Sequence, residues 1–291
     1  MPYDNSRLQT FKNCPEQYRL KNVLGLKKIE EGVDEHDKNF GKAIHAALES
    51  YYKGGTVEVA KGIFQAEYPD QLAPDDLAKT QANGCTLIEA YATHYKEEDK
   101  KWVVKAVEVT DTFELAPGIP FTVKIDLIVE QQGCIYFVDH KTTGKAFNYQ
   151  YWNQFERNAQ ITAYTAYCQA KYGECSGGII NGLQLGFRQR AYKGEPAGFH
   201  YSFQRQLFNR NRAQVEAWKA DTLTWIKAID QANSVSLGLP QSVWQKNEGQ
   251  CRFCSFKEVC ISCADPQIIE QLYTVIDPNG YLNQTNESES V

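Results

Sequence analysis

The sequence predicts a protein of the α/β class, and three observations support this. Residues 123–130 alternate apolar and polar side chains with the period of two that β-strands show. Residues 134–142, which follow a turn at residues 131–133, are rich in β-branched and aromatic residues. Residues 39–52 and 157–171 instead repeat apolar residues every three or four positions, as amphipathic helices do. Helices are therefore expected before and after a strand hairpin.

The composition bounds the class of protein. The chain has 291 residues, 42% of them hydrophobic and 23% charged, which is an ordinary balance for a chain with a substantial core. It contains no run of 18 apolar residues and begins without a secretory signal, so we expect a cytoplasmic protein. The net charge of −5 argues against a generally basic nucleic-acid-binding surface. A local groove is still possible, because bound metal ions would offset acidic side chains.

The N-terminal segment is predicted to be helical. Residues 6–26 contain an apolar face, and Ser6 is expected to be the N-cap. Pro15 is expected to break or restart the helix directly after Cys14.

A second helix is predicted at residues 39–52, after a charged linker. His45 lies on a face beside its apolar stripe, where an isolated histidine is usually packed or solvated. Residues 57–100 indicate further helices with a break at 68–74, and residues 102–115 alternate as a first strand.

Charged side chains stand out in the hairpin that follows. Asp139 and Lys141 leave the same face of the second strand, and His140 leaves the opposite face. Asp126 lies thirteen residues before Asp139, so the turn can bring both carboxylates within reach of one cation. This arrangement suits a hard divalent metal with a bound water. In the alternative interpretation, Asp126 and Lys141 are solvated charges on a half-exposed sheet.

The chain after the hairpin continues with helices and strands. Gln160 and Tyr164 lie one turn apart on the helix at 157–171, a spacing that is common on amphipathic helices. Strands are expected at 177–192 and 199–203, and a long helix at 209–233. Basic residues near these strands can contact phosphates or form a solvated surface: Arg188, Arg190, Lys193, Arg205, Arg210 and Arg212.

The nine cysteines fall into two groups. Four lie in apolar surroundings and are expected to be small buried side chains: Cys85, Cys134, Cys168 and Cys175. Cys251, Cys254 and Cys260 form a C-x2-C-x5-C array, which suits a metal site better than packing. Cys263 would complete a local zinc site, whereas Cys14 would close a [4Fe–4S] cluster between the two ends of the chain. Residues 284–291 are polar and acidic and are expected to be disordered.

In their order along residues 6–260, these motifs resemble those of PD-(D/E)XK nucleases. The resemblance is to the RecB-like exonuclease branch with an iron–sulfur cluster, beside the CRISPR-associated and helicase-associated members. The first catalytic motif has Ile125 where the superfamily's name has proline, a variation that this branch accepts. The matching parts are Cys14-Pro15-x-x-Tyr18, Gly41-x-x-x-His45, Ile125-Asp126, Asp139-x-Lys141-Thr142, Gln160-x-x-x-Tyr164 and the C-x2-C-x5-C array.

The resemblance implies a restriction-endonuclease-like core, in which helices flank a central mixed sheet. It implies one nuclease domain over residues 1–283, with a helical part at about 1–101 and the catalytic sheet at about 102–205. A C-terminal helix and the iron–sulfur segment would occupy about 206–265. The N- and C-terminal segments would together form a helical region that the cluster staples.

The same resemblance implies a Mg²⁺- or Mn²⁺-dependent DNA exonuclease. Asp126, Asp139 and Lys141 would be catalytic, and His45, Asp126, Asp139 and the backbone carbonyl of His140 would bind the metal. Cys14, Cys251, Cys254 and Cys260 would hold the [4Fe–4S] cluster, and Gln160 and Tyr164 would bind the substrate. Apart from the resemblance, the basic cluster predicts Arg188 and Arg190 as further substrate-binding residues. Besides DNA, the implied partners are a helicase or another recombination, repair or CRISPR-adaptation protein, and no membrane.

Two alternatives are compatible with the same motifs. One is a non-catalytic DNA-binding or assembly subunit, although intact Asp126, Asp139 and Lys141 argue against a loss of activity. The other is a structure-specific endonuclease on the same fold.

Overall fold

The computed structural model describes residues 3–29, 36–69, 77–191, 193–236 and 244–277. The expected disordered tail at 284–291 lies outside these ranges, and so does most of the expected helix break at 68–74. The chain divides into two compact units. The first unit consists of Asp34–Val109 and Lys124–Val215, and the second of Met1–Val33, Thr110–Val123 and Glu216–Val291.

The α-helices, in chain order, are α1 (Asn5–Asn13), α2 (Pro15–Tyr18), α3 (His36–Tyr52), α4 (Val57–Glu67), α5 (Gln81–Asp99), α6 (Tyr149–Asn153), α7 (Ala159–Tyr172), α8 (Arg212–Ser236), α9 (Lys257–Ile261) and α10 (Pro266–Leu272). The strands are β1 (Leu26–Lys28), β2 (Val103–Ala116), β3 (Ile119–Gln131), β4 (Cys134–Thr143), β5 (Cys175–Arg188), β6 (Gly198–Asn209) and β7 (Tyr273–Val275). Among the described residues, no helix is both long enough and apolar enough to span a membrane.

A five-stranded sheet with the order β2-β3-β4-β5-β6 forms the centre of the fold. The β3–β4 and β5–β6 pairs are antiparallel and the β4–β5 pair is parallel, so the sheet is mixed. A parallel pair needs a crossover connection, and α6 and α7 lie in the connection from β4 to β5. The structure thus confirms the α/β class and a mixed sheet flanked by helices.

The predicted hairpin of β3 and β4 has a two-residue turn. Gln131 pairs with Cys134, and the two residues between them, Gln132 and Gly133, have φ angles of 53° and 80°. Two positive φ angles are typical of the type I′ turn, whose twist matches that of the strands.

Each face of the sheet in the first unit is covered by helices. Val138 packs in a core with residues of α3, α4 and α5, including Phe40, Phe64 and Tyr91. The neighbouring Phe137 faces the other way, and its ring lies 5.4 Å from that of Tyr164 on α7. The alternation along β4 therefore divides its side chains between two helical layers.

The second unit brings the N- and C-terminal segments together. β1 pairs with β7, and Leu20 and Leu26 share a small core with Phe256, Val259 and Tyr273. α1 ends at Asn13 and α2 starts with Pro15, so the predicted break after Cys14 is confirmed.

Some local expectations are corrected. Asp4, not Ser6, caps α1, because its carboxylate accepts the backbone N–H of Arg7. Cys168 and Cys175 are buried as expected, but Cys134 is exposed beside the hairpin turn and Cys85 is only partly buried. The strand expected at 199–203 extends to Asn209 in β6.

Candidate active site

The first unit brings His45 on α3 close to the catalytic hairpin. Gly41, one turn before His45, lies close to the end of β4: a Cβ atom placed there would be 3.3 Å from Oγ1 of Thr142. The absence of a side chain at Gly41 therefore lets α3 approach the sheet closely. This gives a physical reason for the Gly-x-x-x-His spacing.

Asp126 stands where the backbone pairing of β3 and β4 ends. The register runs from Gln131 and Cys134 to Leu127 and Val138, and the carboxylate of Asp126 then accepts the backbone N–H of His140 at 2.8 Å. At this end of the hairpin, a hydrogen bond to the Asp126 side chain therefore replaces the backbone hydrogen bonds between β3 and β4. The expected role of the His140 carbonyl as a metal ligand stays a prediction.

Three ligand atoms converge at this point. Atoms of His45, Glu108 and Asp126 all lie within 4.8 Å of one another, and they form the one such group of three among the described residues. Nδ1 of His45 is 3.5 Å from Oδ2 of Asp126 and 4.0 Å from Oε1 of Glu108. One imidazole and two carboxylates form a donor set for a divalent metal such as Mn²⁺.

The electrostatics of this group are those of a partly buried acidic cluster. Burial opposes the Asp126 anion, but hydrogen bonds from His45 and His140 lower the pKa of Asp126 to about 2. Burial also lowers the pKa of His45, but the carboxylates of Asp126 and Glu108 outweigh it and raise the pKa above its ordinary value. Burial and the neighbouring Asp126 raise the pKa of Glu108. A cation at this point would relieve the repulsion between the two carboxylates.

Glu108 was not predicted from the sequence. It has a φ of 49° within β2, in the left-handed region that non-glycine residues seldom adopt. Such strain is concentrated at functional sites. The available signal was an acidic residue between Val107 and Val109 in an apolar strand, but the local bend of the backbone cannot be deduced from that pattern.

Asp139 and Lys141 form an ion pair beside this group. Nζ of Lys141 lies 2.7 Å from Oδ2 of Asp139, so the prediction that they leave the same face is confirmed. Burial lowers the pKa of Lys141, but Asp139 outweighs this and raises the pKa above its ordinary value. Asp139 itself is not in the group of three around His45. The structure therefore brings His45 and Asp126 together and leaves Asp139 with Lys141.

His140 points to the opposite side of β4, as predicted. Burial lowers the pKa of His140 to about 3, so the imidazole is neutral near pH 7. Nδ2 of Asn181 lies 2.7 Å from Nδ1 of His140, which makes the amide the donor and leaves the ring proton on Nε2. Tyr52 stacks on the same ring with an interplanar angle of 12°.

A buried arginine extends this contact into a network. Nη1 of Arg205 donates to Asp99 at 2.7 Å and to Glu98 at 3.0 Å. Nη2 donates to the hydroxyls of Tyr52 and Tyr91, each at 3.0 Å. The guanidinium also lies 3.5 Å from the ring centroid of Tyr95 and 4.1 Å from that of Trp102. Asn181 joins the network to His140, because its Nδ2 also donates to the hydroxyl of Tyr91.

The basic cluster predicted for phosphate contacts is thus divided. The side chain of Arg205 is only 7% exposed in this network, and Arg210 is buried with hydrogen bonds to Thr162 and to the carbonyl of Phe155. Arg188 is partly exposed and lies 3.7 Å from Glu195, and Arg190 is exposed. Arg205 and Arg210 are therefore neither placed to contact phosphates nor part of a solvated surface.

Gln160 and Tyr164 are linked to each other and to β3. Nε2 of Gln160 donates to the hydroxyl of Tyr164 at 2.7 Å, and that hydroxyl donates to the carbonyl of Lys124. Tyr164 is buried and Gln160 is half-buried. Tyr164 therefore supports the strand two residues before Asp126.

In the second unit, four cysteines line one cavity of about 220 Å³: Cys14, Cys251, Cys254 and Cys260. The backbone of Asn247 contacts two of them, since its N–H donates to Sγ of Cys14 at 3.5 Å and its carbonyl accepts from Cys251 at 3.8 Å. Burial and the neighbouring thiols of Cys14 and Cys251 raise the pKa of both Cys254 and Cys260. Cys263 is exposed and does not line the cavity.

Comparison with known proteins identifies the family. No curated protein sequence matches the chain significantly. A solved structure named "Crystal structure of SSO0001" aligns over 76% of this chain and 84% of that chain, with 10% identity and a TM-score of 0.29, which is too low to support a conclusion. The sequence model of the PD-(D/E)XK nuclease superfamily, however, matches residues 5–261. The chain therefore belongs to the PD-(D/E)XK nuclease superfamily, which implies a metal-dependent nuclease.

Proposed function

We propose that this protein is a RecB-like DNA exonuclease that uses Mg²⁺ or Mn²⁺ and contains a structural [4Fe–4S] cluster. The observation that carries the catalytic part is the convergence of His45, Glu108 and Asp126 next to the Asp139–Lys141 ion pair. Membership of the nuclease superfamily supplies the reaction class. The proposed domain, residues 1–283, agrees with a family match that runs through segments of both units.

The three converging side chains fit a divalent ion. Two ligands at right angles, each about 2.1 Å from an ion, lie about 3 Å apart. The separations of 3.5 and 4.0 Å around His45 are close to this value and need only small side-chain shifts. Oxygen donors suit Mg²⁺, whereas the imidazole ligand favours Mn²⁺. Asp139 and the His140 carbonyl are the further ligands that we propose.

The residues of the chain then have distinct roles. A bound metal lowers the pKa of a coordinated water and offsets charge on the phosphate. Lys141 orients the attacking water and stabilises the negative charge that develops on the phosphate. Asp139 holds the ammonium of Lys141 in position, and its pairing keeps that ammonium protonated. Gln160 is half-buried, and its hydrogen bond to the hydroxyl of Tyr164 fixes its side chain. We propose that Gln160 contacts the substrate strand from this position.

The cysteine cavity supports the cluster rather than a zinc ion. In a tetrahedral zinc site, Zn–S bonds of about 2.3 Å hold the sulfurs about 3.8 Å apart. Among the described residues, no three cysteine sulfurs lie within 4.8 Å of one another. Four thiolates around a wide cavity are the ligand set of a cubane cluster, and Cys14 rather than Cys263 completes it.

The RecB-like assignment and the exonuclease mode rest on the order of the motifs along the chain. Gly41-x-x-x-His45 precedes Asp126, and Gln160-x-x-x-Tyr164 follows Lys141. Within this proposal the protein acts in the cytoplasm. Its partner besides DNA is a helicase or another recombination, repair or CRISPR-adaptation protein.

The direct test is anaerobic purification followed by digestion of end-labelled linear DNA with Mg²⁺ or Mn²⁺. Progressive release of short labelled products from linear DNA, without cleavage of a closed circle, is expected for an exonuclease. Cleavage of the circle would indicate an endonuclease instead. DNA binding without hydrolysis under all metal conditions would favour a non-catalytic subunit. An Asp139→Ala protein purified in parallel controls for contaminating nucleases.

A further inference from the structure

A cleft of about 460 Å³ opens beside the proposed metal ligands in the first unit. His45 and Glu108 line it, and Thr142, at the end of β4, forms part of the same wall. Two lysines, Lys42 on α3 and Lys124 on β3, also line the cleft. No role for either lysine follows from the motifs of the family resemblance.

Each lysine lies two or three residues before a proposed metal ligand on the same helix or strand. Lys42 precedes His45 by three residues, so it lies just under one helical turn away, about 4.5 Å along the helix axis. Lys124 precedes Asp126 by two residues, so both leave the same face of β3, about 6.7 Å apart along the strand. Both lysines are therefore anchored beside proposed ligands, one on the helical wall and one on the sheet wall of the cleft.

Both ammonium groups are accessible to a ligand in the cleft. Lys42 is exposed, and the side chain of Lys124 is 69% exposed. Nζ of Lys124 lies 3.3 Å from Oε2 of Glu108, so its present partner is itself a proposed metal ligand. The cleft is otherwise acidic, because Glu49 and Glu108 also line it. A polyanion that enters the cleft therefore needs these cations to offset the carboxylates beyond what the metal supplies.

We propose that Lys42 and Lys124 bind the phosphates next to the one that is hydrolysed. Lys42 holds the strand from the helical wall of the cleft, and Lys124 holds it from the sheet. The inference rests on the proposed nuclease function and adds a substrate-binding role to that site. Such contacts are made equally in the ground state and the transition state, so they act mainly on KM.

The experiment compares Lys42→Gln, Lys124→Gln and the double variant with the wild type. Binding of fluorescein-labelled single-stranded and double-stranded oligonucleotides is measured by anisotropy, with Ca²⁺ in place of Mg²⁺ to prevent hydrolysis. The control is Lys100→Gln, since Lys100 is 61% exposed, pairs with Glu97 at 2.6 Å and does not line the cleft. Mn²⁺ affinity is measured separately by titration without DNA.

We expect each cleft variant to bind DNA about two- to fivefold more weakly at low salt, as for an exposed charge pair. The slope of log K against log salt should fall by about 0.7 per lysine for single strands and about 0.9 for duplex. KM should rise with kcat largely retained, and the Mn²⁺ affinity of Lys42→Gln should equal that of the wild type.

A double variant with the KM and salt slope of Lys100→Gln would overturn the inference while leaving the nuclease proposal intact, provided that the wild type hydrolyses DNA. A wild-type protein that neither binds nor hydrolyses DNA would overturn both.

Discussion

Nζ of Lys141 lies 2.7 Å from Oδ2 of Asp139, and this contact couples two neighbours on one face of β4. Both groups are needed in their charged forms for the proposed chemistry. Burial raises the pKa of Asp139, and the ammonium of Lys141 opposes this shift by stabilising the carboxylate. Asp126, one strand away, is held by the backbone N–H of His140 between them. The order Asp139, His140, Lys141 therefore supplies a carboxylate, a backbone donor and an ammonium to one side of the hairpin.

Removal of the side chain of Asp126, Asp139 or Lys141 should abolish most of the hydrolysis without unfolding the chain. For Asp126→Ala, Asp139→Ala and Lys141→Ala we expect kcat to fall at least about 100-fold, because an electrostatic contribution to the transition state is lost. Release of end label measures activity, and circular dichroism measures folding. Glu58→Ala, on an exposed part of α4, is the control. Wild-type activity in a purified Asp139→Ala protein would show that the active-site assignment is wrong.

Glu108→Gln should weaken Mn²⁺ binding about tenfold or more, since it removes a carboxylate ligand while it preserves the shape of the side chain. His45→Ala should act in the same direction, and excess Mn²⁺ should restore part of its activity. Titration calorimetry on the metal-free protein measures the affinity. Glu130→Gln is the matched control, because Glu130 pairs with Lys105 at 2.6 Å outside the site. Equal Mn²⁺ affinities for Glu108→Gln and Glu130→Gln would exclude Glu108 as a ligand.

Replacement of Cys14, Cys251, Cys254 or Cys260 by serine should cause partial unfolding or insolubility. A cluster held by both ends of the chain closes a long loop, and this closure restricts the unfolded state. The wild-type protein purified without oxygen should be brown and contain roughly four irons per chain. Cys263→Ser, the control, should retain iron and solubility. A colourless protein with one zinc, damaged by Cys263→Ser but not by Cys14→Ser, would favour the local zinc site.

Neutralisation of Arg188, Arg190 and Lys193 should weaken DNA binding and flatten its salt dependence, as expected when phosphate contacts are lost. Mn²⁺ affinity should not change, because none of these residues belongs to the group around His45. Anisotropy titrations at several salt concentrations provide the measurement. An unchanged salt slope would assign these residues to an ordinary solvated surface.

Arg205→Ala should lower the free energy of unfolding by about 3–5 kcal/mol, because the side chain of Asp99, which is only 11% exposed, loses its guanidinium partner. Arg205→Lys should not restore stability, since an ammonium cannot reproduce the stacking and the forked hydrogen bonds. Urea unfolding measures both variants. Arg188→Ala, which removes a partly exposed arginine on β5, is the control. A lysine variant as stable as the wild type would argue against a specific role of the guanidinium.

The sequence by itself determined the local elements of this protein and the composition of much of the candidate site. Alternation along residues 123–130 predicted the hairpin, and a period of two placed Asp139 and Lys141 on one face. The apolar stripe of residues 39–52 predicted the helix of His45. These features depend on neighbours within a few residues, so a single chain contains the information that specifies them.

The tertiary structure decided which distant groups meet. Glu108 itself has a left-handed backbone conformation inside β2, and its carboxylate lies beside His45 and Asp126. No periodicity in the sequence predicts that bend. Arg205 is buried because β6 extends beyond residue 203, where its guanidinium meets Asp99 and Tyr91 across a sequence distance of more than 100 residues. Cys14 shares a cavity with three cysteines from the other end of the chain for the same reason. Such contacts are fixed by packing and burial of the whole fold, which the spacing of residues along the chain does not contain.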